Sequence, residues 1–162
     1  INIRAETIKD KPALRKKMLR FRCIIPIDGF YSWKRIGKKS AVPYRFFHKK
    51  KELLAMTGLW EEFEDEQEET HHTFSVITTP SNQQVLPVNE RMPLLLNKES
   101  RNLWLNKDAN ENDLLNLLNL DSKVELESYT VSPRISVLSA NESTLFLPTA
   151  PADQFGNLTL FD

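Results

Sequence analysis

The sequence predicts an α+β fold built around a curved antiparallel β-sheet, and three observations predict it. Four apolar segments rich in β-branched and aromatic residues follow one another, separated by Gly-, Lys- or acid-rich turns. The stretches with helical spacing stand before and after this block instead of alternating with each strand. At 162 residues, 40% of them hydrophobic, the chain is also long enough to bury a real core in one domain.

The elements follow in order. In "RAETIKDKPALRKKMLR" Asp10 is a candidate N-cap, Pro12 suits a first turn, and Leu14, Met18 and Leu19 recur at helical spacing, so a short amphipathic helix is predicted over residues 11–19 with a basic outer side. "FRCIIPIDGFYSWKRI", "VPYRFFHK", "LLAMTGLWEEF" and "THHTFSVITT" read as antiparallel strands. The acidic link "EDEQEETHH" reads as an exposed hairpin loop whose charges discourage edge-to-edge pairing. "KESRNLWLNKD" and "ANENDLLNLLNLD" read as helices, with Leu103, Trp104, Leu114, Leu115, Leu117 and Leu118 facing inward. "VELESYTVS" supplies another strand. "LFLPTAPADQFGNLTLFD" is a tail punctuated by Pro and Gly that either wraps the domain or stays mobile.

The zero net charge conceals an asymmetry. Residues 1–51 hold 16 Lys/Arg against three acids, a net of +13, whereas residues 52–72 hold eight acids and no Lys or Arg. Any one lysine is ordinary surface decoration, but a half-chain at +13 predicts a basic face that meets a polyanion. No run is long enough to span a bilayer and no charged-then-apolar stretch resembles a signal peptide, so a soluble, cytoplasmic chain with no membrane partner is expected. Cys23, the single cysteine, fits a reducing compartment.

Familiar chemistry is sparse. His71–His72 beside Glu68 and Glu69 lacks a second ligand pair at structured spacing, and His48 stands among lysines, so neither a metal nor another cofactor is expected. Four glycines are too few, and wrongly spaced, for a phosphate-binding loop. For Trp33 and Trp60 the plainer expectation is core packing, with base stacking as the alternative.

One ordered set does stand out: "NIRAET" at 2–7, "RCIIPIDGFYSWK" at 22–34, "PYRFF" at 43–47, "AMTGLWE" at 55–61, "TFSVITTPSN" at 73–82, "NERMPLLL" at 89–96 and "VSP" at 131–133. Together these strongly resemble the SRAP (SOS response-associated peptidase, HMCES-like) family. The resemblance implies a barrel-like sheet with a few peripheral helices, an SRAP-like domain over residues 1–148 preceded in the family by a further segment, and a C-terminal tail over 149–162.

It also implies a function in the SOS response to DNA damage. Family members bind single-stranded DNA at abasic sites, where the amine and thiol of an N-terminal cysteine form a thiazolidine with the opened sugar. An amine condenses with the sugar aldehyde and a neighbouring thiolate closes the ring, which needs proton relays. The family places a glutamate in its "GFYEW" motif and a histidine at the start of its "H-x-RMP" motif. Here Ser32 stands in the glutamate's place and Asn89 in the histidine's. Neither titrates near neutral pH, and losing such a group costs on the order of 10²–10⁴-fold in rate.

The remaining positions match. Asn2 falls where the family holds the reacting sugar, Arg4 and Arg91 fall on phosphate-binding arginines, and Trp33 and Lys34 keep the motif beside the site. Read from the residues alone, Arg4 and Arg91 are structural ion-pair partners of Glu6 or Glu90. Asn2, Ser32 and Asn89 are thus the candidate catalytic positions, and Arg4, Arg91, Trp33 and Lys34 the candidate DNA contacts. Three functions fit: an abasic-site DNA-binding protein with an altered catalytic site, nucleoid-associated if bacterial; an active crosslinking enzyme or autopeptidase whose nucleophilic cysteine lies upstream of Ile1; or a catalytically dead protein-interaction module.

Overall fold

The chain enters a sheet with its second residue. In the computed structural model, which describes residues 1–119 and 123–159, β1 (Asn2–Arg4) runs parallel to β6 (Thr70–Pro80), with Asn2 opposite Val76 and Arg4 opposite Thr78. Two helices follow, α1 (Ala5–Asp10) and α2 (Pro12–Arg20). Sequence spacing predicts the second and misses the first. Asp10 ends α1 and caps nothing; the residue entering α2 is Lys11, held extended at φ −106° and ψ 112°. The steric reason is Pro12, whose ring drives the preceding residue out of the helical region and so breaks one basic amphipathic stretch into two helices.

The segment predicted as one strand across residues 21–36 is two, β2 (Arg22–Ile27) and β3 (Phe30–Ile36), in different sheets. The break falls at Asp28–Gly29. A Cβ on Gly29 would lie 2.6 Å from the carbonyl oxygen of Phe46, closer than real contacts allow, so only glycine fits this approach of two backbones.

The Cα framework divides into two units. The first comprises Ile1–Ile27, Leu54–Asn82 and Arg91–Val124; the second Asp28–Leu53, Gln83–Glu90 and Glu125–Asp162.

In the first unit the sheet order is β1-β6-β5-β2, where β5 is Leu54–Glu64, and β7 (Arg91–Pro93) also pairs with β6. The β5–β6 ladder continues to Glu64 opposite Thr70, so the acidic loop is only 65–69 and His71 and His72 belong to a strand. Helices α3 (Lys98–Leu105) and α4 (Glu111–Leu117) complete the unit, each begun by an Asn side chain that accepts from a backbone N–H of the first turn. Ile8, Met18, Leu59, Ile77, Leu94, Trp104 and Leu114 pack into one buried cluster. Trp104 is wholly buried, as predicted, and its Nε1 donates to the carbonyl of Cys23 at 2.9 Å. Arg22 donates to the carbonyls of Met18 and Leu19 at the end of α2 and to those of Trp104 and Asn106 at the end of α3, satisfying helix-terminal acceptors with one cation.

The second unit is a three-stranded antiparallel sheet in the order β3-β4-β8, where β4 is Ser40–His48 and β8 is Leu126–Thr130. Phe30 stacks on Phe46 at 5.2 Å, and Arg45 is gripped between Asp28 and the hydroxyl of Tyr129. Of the two behaviours left open for the tail, docking is the one seen over its described residues. Thr149 exchanges hydrogen bonds with Thr130, Asp153 accepts from Ser40, and Gln154 accepts from the backbone N–H of Ala41. Among the described residues no helix is long and apolar enough to cross a membrane.

Candidate functional site

In the first unit the site residues begin on β1. Residues two apart on a strand share a face, so Asn2 and Arg4 point the same way, and both are exposed while Ile3 between them is partly buried against the core. The Arg4 side chain makes no hydrogen bond or ion pair among the described residues. Arg91 opens β7 and takes its register from Pro80. Its guanidinium lies in a fork. Nη1 donates to Glu6 Oε1 at 2.6 Å, and Nη2 donates to Glu6 Oε2 at 3.0 Å and to the backbone carbonyl and Oγ1 of Thr78 at 2.7 and 3.1 Å.

Thr78 is also the residue opposite Arg4, so one threonine ties "NIRAET" to "NERMP". The bidentate hydrogen bond from Arg91 is the main reason the Glu6 carboxyl is held down at about 2. Of the pairings read from sequence, Glu6 is therefore Arg91's partner. A phosphate meeting Arg91 would have to compete with, or add to, that carboxylate. Thr78 escaped sequence reasoning because a lone threonine in a strand carries no signal of what lies across from it.

The second unit holds the other set. Ser32 is buried in β3 opposite Tyr44, at 5% exposure, so its hydroxyl is not a solvated surface group. Lys34 pairs across with Val42 and is half-buried. Trp33 departs from the core-packing expectation: it is 38% exposed, and its Nε1 donates to Ser136 Oγ at 3.2 Å. Asn89 is exposed at the end of a turn, with its backbone N–H donating to the carbonyl of Val85.

Cys23 is half-buried in β2, and burial pushes its thiol above the ordinary range. It is therefore no thiolate at neutral pH and does not suit a nucleophile's part.

The histidines behave differently from one another. His72 meets Glu62 at 2.8 Å, whereas His71 Nε2 lies 2.6 Å from Asp65. Asp65, Glu69 and His71 bring three potential ligand atoms within 4.8 Å, a gathering that His71–His72 read by sequence alone does not reveal. Asp65 is, however, engaged by its own loop: it accepts from the backbone N–H groups of Gln67 and Glu69 as well as facing His71, and the His71 hydrogen bond is the first cause of its lowered pKa. The trio is accounted for as a hairpin turn.

Comparison with known proteins returns one family. The model described as SOS response associated peptidase (SRAP) matches residues 1–138. The abasic site processing protein YoqW of Bacillus subtilis (strain 168) is 36% identical over 146 residues, which cover 90% of this chain and 65% of that protein. The abasic site processing protein HMCES of Rattus norvegicus is 24% identical over 180 residues, covering 94% of this chain and 50% of that one. A crystal structure of a protein from Bacteroides thetaiotaomicron superposes with a TM-score of 0.81 at 29% identity, over 91% of this chain and 65% of the other. The chain thus spans about two thirds, or less, of these relatives' lengths.

Proposed function

The chain belongs to the SOS response associated peptidase (SRAP) family, and on that premise we propose that it binds single-stranded DNA at abasic sites, with a catalytic site altered from the family's. The observation that carries this reading is the exposed amide and guanidinium of Asn2 and Arg4 side by side on β1, inside the matched stretch. Arg4 meets a backbone phosphate and Asn2 the opened sugar; Arg91 supports the same edge through Glu6 and Thr78 and takes a second phosphate. Trp33 and Lys34 contribute a partly exposed aromatic ring and a cation. These roles belong to an SRAP-like domain over residues 1–148, with 149–162 as its tail; the family match covers residues 1–138 of it.

The covalent step is weakened. A buried hydroxyl at Ser32 and an amide at Asn89 can orient water or a substrate oxygen but cannot exchange protons near pH 7 as a carboxylate and an imidazole do. Binding to DNA is therefore the retained activity, and crosslinking is slow or absent unless a cysteine upstream of Ile1 supplies the nucleophile.

Fluorescence anisotropy with an abasic oligonucleotide tests the binding. Affinity is expected to fall by roughly 0.7 log units per log unit of salt for each phosphate contact, and Arg4→Glu is expected to weaken it and lower that slope. Binding that ignores salt, or an Arg4→Glu variant indistinguishable from the parent, sinks the reading. A denaturing gel on the same mixture separates capture from chemistry, because only a covalent product survives heating.

A further inference from the structure

The first unit carries another surface, which the roles above do not use. Between α2 and β5 lies a recess of about 860 Å³. Its floor is aromatic. Trp60 is half-buried; its ring stands at 86° to that of Phe21 with centroids 5.2 Å apart and lies 6.0 Å from the His72 ring at 32°, and its backbone N–H donates to the carbonyl of Phe21 at 2.8 Å. Phe21 is 38% exposed, and Phe74, opposite Trp60 on β6, is 53% exposed.

One wall is cationic. Ala13, Lys16, Lys17 and Arg20 recur at i, i+3, i+4 and i+7 and so share a face of α2. Lys17 pairs with Glu61. Lys16 and Arg20 are exposed, and their side chains have no hydrogen-bond or ion-pair partner among the described residues. The helix dipole favours a cation at Arg20, in the last turn, but like charges at i, i+4 repel, and α2 contains no acid to offset them. On the other wall Glu62 can accept from a base's amino or imino hydrogens while it holds His72. Aromatic rings lining a recess beside two unpaired cations match a nucleotide: the base lies against the rings and its phosphates meet the cations.

We propose that this recess binds a nucleotide of the single-stranded DNA flanking the lesion, with a base stacked on Trp60 and adjacent phosphates on Lys16 and Arg20. It is a second strand-holding surface, separate in its residues from Asn2, Arg4 and Arg91. The proposal rests on the reading that the protein binds single-stranded DNA.

Anisotropy titrations with abasic and undamaged oligonucleotides of about 6 and about 20 nucleotides test it, lengths chosen around the site sizes of single-strand binders. In both Trp60→Leu and Lys16→Glu/Arg20→Glu, affinity for the longer strands is expected to fall about tenfold, a typical cost of losing one stacked base. The double charge variant should also lose roughly 1.4 from its salt slope, for two phosphates. The short abasic strand should bind both variants like the parent.

Long-strand affinity and salt slope unchanged in both variants overturn the proposal. Equal loss on the short abasic strand overturns it too, because the recess would then be part of the lesion site. Lys16→Glu/Arg20→Glu changes only exposed positions, so it decides the matter if Trp60→Leu fails a circular dichroism check of folding. If the parent binds undamaged long strands through these residues but shows no preference for the lesion, the recess stands and the abasic-site reading falls. If it binds no oligonucleotide, both fall.

Discussion

The two units are held together by different means. The first has a conventional apolar core in which residues from four helices and the sheet meet, with Trp104 and Ile8 wholly buried. The second also buries apolar side chains, Val42, Phe46, Val85 and Val131 among them, but adds polar side chains that reach across long stretches of sequence. Asp153, 113 residues from Ser40, accepts from that hydroxyl, from the backbone N–H groups of Phe155 and Asn157, and from the Asn157 amide. Leu138, Phe155 and Leu158 meanwhile stay exposed. Burial of apolar surface is non-directional and tolerates small shifts, whereas a hydrogen-bonded carboxylate works only when each partner is in place. The first unit should therefore resist polar substitution at its margins, and the second should loosen locally when one anchor goes.

The largest effect is expected at Trp104. Trp104→Ala removes a fully buried ring and leaves the Cys23 carbonyl without its donor, so it should cost about 3–5 kcal/mol in urea denaturation. A loss under about 1 kcal/mol would mean that the first unit does not depend on its core.

Asp153→Ala comes next. It should lower the unfolding midpoint less than Trp104→Ala while making residues 149–159 susceptible to limited proteolysis, read by mass spectrometry of the fragments. Uniform destabilisation with no new cleavage there would erase the contrast between the units. Burial acts to raise the Asp153 pKa, but its hydrogen bonds outweigh that and the net shift is downward. The fastening is thus present above the ordinary aspartate range and lost as pH falls through the lowered pKa.

The smallest effect belongs to the Glu6–Arg91 pair. Its geometry is bidentate, but the Glu6 side chain is 46% exposed, so solvent screening holds the coupling to about 1 kcal/mol or less. Because the folded pKa, about 2, lies below the ordinary 4.5, the contribution is complete above pH 4.5 and disappears as pH falls toward 2. A double-mutant cycle with Glu6→Gln and Arg91→Lys at pH 7 and at pH 2 reads this directly, and equal coupling at both pH values contradicts it.

Much of the fold can be read along the chain because its signals are local. Leu103, Trp104, Leu114 and Leu117 announce their helices by spacing, the β-branched and aromatic runs announce β4, β5 and β6, and the SRAP motifs announce the family. The misreadings share a cause. One strand became two at Gly29 because the carbonyl of Phe46, 17 residues away, leaves no room for a side chain. β1 joined β6 in parallel because a three-residue strand carries too little pattern to declare its neighbour.

Sequence alone determined that this is an α+β member of the SRAP family, because residue identity and the order of the motifs do not depend on folding. Only the tertiary structure decided that Arg91 forks onto Glu6 and Thr78, that Ser32 is buried while Trp33 is open, and that Trp60 and Phe21 line a recess beside Lys16 and Arg20. Each of these is a contact between residues far apart in the chain, and strand register and helix packing, not local propensity, set which of them meet.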